Sequence, residues 1–126
     1  MKKLLFLTFI IVIAACKNDF NGDYAIISGK IINKEIGELS INSFDRTFTE
    51  PINISEDGSF HDTLSTNINT YVLFDGKNPI FLHIEPGYNL VINYDTKDFD
   101  NSLSITGKGS EISNYLAAKR KNEKNL

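Results

Sequence analysis

From Tyr24 to Gly107 apolar and polar residues alternate with a period of two, and the 3.6-residue period of an amphipathic helix is absent. Ile80, Leu82 and Ile84 alternate with Phe81 and His83. Tyr88, Leu90, Ile92 and Tyr94 alternate with Asn89, Val91, Asn93 and Asp95. Phe60 and Leu64 share a row with Asp62, opposite Ser59, His61 and Thr63, and shorter stretches around Leu39–Ile41 and Leu103–Ile105 repeat the pattern. Successive side chains of a strand point to opposite faces, so each such stretch turns one row into a core and the other toward water. The first stretch is apolar on both rows: Ala25, Ile27 and Ile31 on one, Tyr24, Ile26 and Ile32 on the other. A central strand covered on both faces is the expectation there, with Gly29 marking a bulge or a close backbone approach.

Turn chemistry separates these stretches. Glu56-Asp57-Gly58-Ser59 is a hairpin signal, Glu85-Pro86-Gly87-Tyr88 fits a type II turn, and Asp75-Gly76 and Ile36-Gly37 mark two further breaks. The pattern changes at Gly107-Lys108-Gly109. Ser110 can cap a helix, Glu111 suits its first turn, and Ile112, Tyr115 and Leu116 fall at i, i+3 and i+4 as a single apolar stripe. The expected fold is all-β: a Greek-key-like β-sandwich of about eight short antiparallel strands over residues 24–107, followed by one C-terminal α-helix and a charged tail over 108–126.

Ahead of this domain, Met1-Lys2-Lys3 is basic, Leu4–Ile13 is apolar apart from Thr8, and Ala14-Ala15-Cys16 follows. The apolar run falls short of the ~20 residues that span a bilayer as a helix, and it has the length and flanks of a secretory signal over residues 1–15. Ile13-Ala14-Ala15-Cys16 resembles the bacterial lipobox. The resemblance implies a diacylglycerol on the Cys16 sulfur, cleavage before Cys16 and a further acyl chain on its freed amine, since several chains hold a membrane where one holds only marginally. Residues 16–23 then form a lipidated tether. Lys17, where an Asp would favour inner-membrane retention, directs the expectation to the outer membrane of the cell envelope.

Charge and cysteine usage narrow the chemistry. With Lys2 and Lys3 removed in the leader, 11 basic residues face 16 acidic ones, net −5; residues 119–126 carry net +3, so the body from 16 to 118 is −8. Such a body repels phosphate backbones, and no nucleic-acid partner is expected. Cys16 is the one cysteine, so the lipidated protein is expected to form no internal disulfide, redox pair or cysteine-based metal site. His83 with Glu85, and His61 with Asp62, are the only metal-ligand pairings in the pattern; no third ligand is spaced to complete a site, and no metal or other cofactor is expected. The carboxylates sit in turns (Glu56, Asp57, Asp75, Glu85) or in the Asp95–Asp100 loop, where solvation accounts for them. No catalytic residue is assigned, and the chain is not read as an enzyme. Phe44, Phe48, Phe74, Phe81 and Tyr94 are candidates to lie outside the core as a ligand platform, with core filling or edge packing as the alternative. Asp62-Thr63-Leu64 resembles the O-glycosylation acceptor motif of Bacteroidetes, with Thr63 as acceptor. The basic residues of the tail suit a helix C-terminus or the start of a connector.

Several motifs recur in order: Ile27-Ser28-Gly29-Lys30-Ile31 in the opening strand, Asp57-Gly58-Ser59-Phe60 in a hairpin, Glu85-Pro86-Gly87 before a strand, and Gly107-Lys108-Gly109 leading to Asn114-Tyr115-Leu116. Together with the lipobox they resemble the N-terminal accessory β domain of Bacteroidetes thiol-disulfide oxidoreductases of the TlpA/ResA-like kind, over residues 24–119. The resemblance implies a domain that holds a redox domain at a set distance from the membrane, or mediates dimerisation or contact with a protein partner. It does not carry the redox activity, because no residue of this chain matches the family's Cys-x-x-Cys site. The expected function is therefore a non-catalytic, membrane-anchored module. A ligand-binding (glycan-type) lipoprotein and a truncated fragment of such an oxidoreductase are the alternatives.

Overall fold

The computed structural model describes residues 23–34, 38–65, 67 and 69–124. The leader, Cys16, the tether up to residue 22 and the Ile36-Gly37 turn lie outside the described residues. Eight strands are formed: β1 (Tyr24–Ile32), β2 (Leu39–Ser43), β3 (Thr49–Ile52), β4 (Ser59–Ser65), β5 (Asn69–Phe74), β6 (Pro79–Ile84), β7 (Asn89–Asp95) and β8 (Ser104–Lys108). A 3-10 turn at Thr96–Asp98 and a one-turn helix α1 (Phe99–Ser102) join β7 to β8, and helix α2 (Ser110–Lys124) follows.

The strands form two four-stranded sheets, ordered β4-β1-β7-β8 and β3-β2-β5-β6. The connections β1–β2, β3–β4, β4–β5 and β6–β7 pass between sheets, so each sheet is assembled from distant parts of the chain. All pairings are antiparallel but one: β1 runs parallel to β7, from Ile26 opposite Asn89 to Ile32 opposite Asp95. This departs from the expectation of antiparallel strands alone. The core lies between the sheets and is built from the inward rows the alternation marks: Ala25, Ile27, Ile31, Leu39, Ile41, Leu64, Leu73, Leu82, Ile84, Leu90 and Ile92 are each at most 1% exposed.

Strand β1 is central, between β4 and β7, but it is not covered on both faces. Its Ala25–Ile27–Ile31 row is buried, while Tyr24 and Ile32 on the other row are 37% and 52% exposed. Of the two readings of Gly29, the close approach is the one present: the register runs unbroken through it, and a Cβ on Gly29 would lie 1.6 Å from the carbonyl oxygen of Ile92 in β7.

Helix α2 also differs from expectation. Ile112 and Tyr115 are exposed, at 45% and 65%, whereas Ser113 is fully buried and Leu116, Ala117 and Arg120 are half-buried. The inward stripe is thus Ser113–Leu116–Ala117–Arg120, one position round from the apolar one. The reason is what the helix packs on. Strands β6 and β8 are the edges of the two sheets, and α2 lies against both. Ser113 Oγ accepts the backbone N–H of His83 in β6 at 3.0 Å, and Asn114 Nδ2 donates to the carbonyl of Ile105 in β8 at 2.8 Å. Polar side chains on the helix complete backbone groups that an uncovered edge leaves free to recruit another strand. Ser113→Ala is expected to cost about 1–2 kcal/mol, the cost of a buried donor without its acceptor, and to raise the hydrogen-exchange rate of the His83 amide; an unchanged rate contradicts the clamp.

At the opposite edge, β3 and β4 carry Pro51, which lacks an N–H, and Asp62, whose side chain turns inward toward Glu50. Both are devices that keep an edge from extending.

Candidate functional site

The outer face of the β3-β2-β5-β6 sheet is the surface on which the chain concentrates exposed aromatic rings. Alternation along β5 and β6 sends Val72, Phe74, Phe81 and His83 to the side opposite Leu73, Ile80 and Leu82. Phe44 sits in the turn after β2 and is 65% exposed, with its ring centroid 6.3 Å from that of Phe81. The turn is held by Ser43 and Asp45: Phe48 N–H donates to Ser43 Oγ at 2.9 Å, and the Ser43 and Thr47 hydroxyls each donate to Asp45 Oδ1 at 2.7 Å. Asp45 is held below the ordinary carboxylate range, first by the Ser43 hydroxyl. Phe44, Arg46, Val72, Phe74 and Phe81 border a shallow depression here. Phe44, Phe48 and Phe74 lie outside the core as expected, and Phe81 is half-buried.

Tyr94 does not join them. It is 2% exposed, and its hydroxyl donates to Asp75 Oδ2 at 2.6 Å. Asp75 is likewise no solvated turn residue: it is 0% exposed. Its Oδ1 accepts the backbone N–H groups of Lys77 (2.8 Å) and Asn78 (2.6 Å), and its Oδ2 also accepts Asn78 Nδ2 (2.9 Å). Burial pushes Asp75 upward, but these bonds outweigh it and hold the carboxyl below its ordinary value. Burial, then the bond to Asp75, pushes Tyr94 far up. The pair braces the turn between β5 and β6 against β7, with α1 closing over it through Phe99, 5.1 Å from the Tyr94 ring and edge-on.

The histidines are not brought together. His61 is exposed on β4, at one edge of its sheet, and His83 is on β6, at the edge under α2. His83 and Glu85 do meet, as their spacing indicates: Nε2 lies 3.0 Å from Glu85 Oε2, which also accepts the Tyr88 hydroxyl at 2.5 Å. Glu85 is lowered by that hydroxyl and then by His83, and Tyr88 is pushed up to about 12, chiefly by its bond to Glu85. These bonds close the Pro86-Gly87 turn, across which Tyr88 N–H donates to the Glu85 carbonyl. Among the described residues no group of three or more His, Cys, Asp or Glu is placed to hold a metal ion.

At the far edge Glu50 and Asp62 adjoin across the two sheets. Burial first, then the charge of Asp62, raises Glu50, and Asp62 Oδ2 is shut from solvent without a hydrogen-bond partner among the described residues. The shared row of Phe60, Asp62 and Leu64 indicates this inward orientation. Thr63 is exposed on the outward row of β4. Cys16 lies outside the described residues. The polar side chains of α2 that touch the edge strands, Ser113 and Asn114, carry no signal that an apolar-stripe reading detects.

These features define a β-sandwich whose edge is closed by a C-terminal helix and whose outer face is aromatic. Comparison with protein-family models, with curated proteins and with solved structures finds no match. Among the described residues no helix is long and apolar enough to cross a membrane.

Proposed function

We propose that this chain is a lipid-anchored, non-catalytic module of the bacterial cell envelope, resembling the N-terminal accessory or interaction domain of TlpA/ResA-like oxidoreductase lipoproteins, and that it presents its aromatic sheet face to a protein partner. The observation that carries the reading is how few residues separate Cys16 from the folded domain. The first strand begins at Tyr24, eight residues after the cysteine, and such a tether reaches at most about 28 Å fully extended. A lipid on Cys16 therefore keeps the sandwich within about one domain diameter of the membrane surface. Two of the candidate acid–base groups support a non-catalytic role, because their bonds hold the fold: Asp75 is engaged by Tyr94 and Asn78, and Glu85 by Tyr88 and His83. The partner-facing role rests on Phe44 and Phe74, large exposed rings beside the half-buried Phe81.

The test is metabolic labelling with palmitate and membrane fractionation of the wild-type chain and Cys16→Ser. Label in the wild type, and its loss together with a change in processing in the variant, is the expected result. Label retained in Cys16→Ser, or unchanged membrane partitioning, overturns the reading, as does disulfide-reductase turnover by the wild-type chain. A second reading, a glycan-type ligand-binding lipoprotein, is favoured by the pairing of exposed Phe44 with half-buried Phe81, and is distinguished by saturable binding of a soluble polysaccharide.

A further inference from the structure

Between α2, α1 and the start of β6 lies a cleft of about 260 Å³. Ile80, Phe99, Leu103 and Ala117 give it an apolar side, buried or half-buried, and exposed Asn101, Asn114 and Lys121 stand at its rim with half-buried Arg120. The charges there are unevenly matched. Asp100, the one carboxylate lining the cleft, is taken by Lys124, whose Nζ lies 3.3 Å from Oδ1. Among the described residues Lys121 donates to the neutral Asn101 Oδ1, also at 3.3 Å. The Arg120 guanidinium lies over the Phe81 ring, 5.2 Å from its centroid, and its Nε is shut from solvent with no acceptor among the described residues. In a domain with an acidic excess, two cations thus stand beside an apolar cleft without a carboxylate partner among the described residues.

We infer that this cleft binds a small organic carboxylate, its apolar body against Ile80, Phe99 and Ala117 and its carboxylate held by Arg120 and Lys121. A guanidinium matches a carboxylate through paired N–H donors, and one already seated on an aromatic ring loses little freedom on binding. The volume lies just below the ~300–1,000 Å³ of drug-sized ligand pockets, so the occupant has on the order of ten non-hydrogen atoms. With a ligand so small, affinity near about 1 mM is expected. The inference is independent of the membrane anchor.

The experiment is ligand-observed ¹⁹F NMR of 4-fluorophenylacetate with the full chain in nonionic detergent, beside 4-fluorophenylacetamide as its uncharged counterpart. Saturable binding of the acid is expected, displaced by unlabelled phenylacetate, and about ten-fold weaker for the amide and for Arg120→Gln. Ala117→Leu, which keeps the charges and fills the apolar side, is expected to abolish it, with thermal melting confirming that both variants are folded. Equal binding of acid and amide, absence of saturation, or affinity unchanged in the folded Arg120→Gln or Ala117→Leu protein overturns the inference.

Discussion

Gly29→Ala is expected to destabilise the domain by more than about 4 kcal/mol, or to prevent folding altogether. The methyl group would sit 1.6 Å from the Ile92 carbonyl oxygen. That obstacle is backbone in the centre of a sheet, so no rotamer change relieves it. Relief requires parting β1 from β7 along a ladder that runs from Ile26–Asn89 to Ile32–Asp95. Because domains of this size are stable by only about 5–15 kcal/mol, the loss removes most of the margin. Gly76→Ala is the control. Its φ of +96° disfavours a side chain, but nothing lies within 4 Å of the added Cβ. The expected cost there is about 1 kcal/mol. Urea unfolding checks both; a Gly29→Ala protein that unfolds at the wild-type midpoint contradicts the parallel β1–β7 pairing.

Asp75→Ala is expected to cost about 3–5 kcal/mol, lowering the melting temperature by roughly 12–25 °C. Removing the carboxylate strands the Tyr94 hydroxyl and the backbone N–H groups of Lys77 and Asn78, at a position with 0% exposure. Tyr94→Phe, which removes one donor and leaves the other bonds to Asp75, is expected to cost about 1–2 kcal/mol. The pH dependence follows from the direction of the shift. Asp75 is depressed in the folded state, so its contribution is fully present above the unfolded carboxylate value of about 3.9 and is lost as pH falls through the lower folded value. Thermal melts of wild type and Asp75→Ala should therefore converge as the pH is taken below about 4. A constant gap down to pH 2 indicates that Asp75 acts through packing and not through its charge.

What the chain reveals by pattern and what it conceals follow the range of the interactions involved. Alternation is a local property, so the inward row of β6 and Leu90 and Ile92 of β7 are legible, while Tyr94, an aromatic with a polar tip, reads equally as an outer ring; at Gly29 the pattern leaves a bulge and a close approach both open. The partner of β1 is not legible. Its parallel neighbour lies more than sixty residues away, from Ile26 to Asn89, and nothing in either stretch specifies it. Asp75 precedes a glycine in a turn and reads as solvated; its burial depends on Tyr94, nineteen residues on. The apolar stripe of helix α2 misleads because helices usually bury one. This one packs on two strand edges, where the groups needing partners are backbone N–H and C=O, and Ser113 and Asn114 meet that need better than Ile112 and Tyr115. Arg120 looks like one charge of a basic tail, although its guanidinium rests on Phe81.

The measurement that reaches the central proposal most directly is the intact mass of the protein extracted from membranes. The expected species begins at residue 16 and carries a diacylglycerol and an acyl chain, with any additional hexose series traceable to Thr63. A membrane-free chain retaining residues 1–15, or one cut elsewhere with an unmodified Cys16, contradicts it.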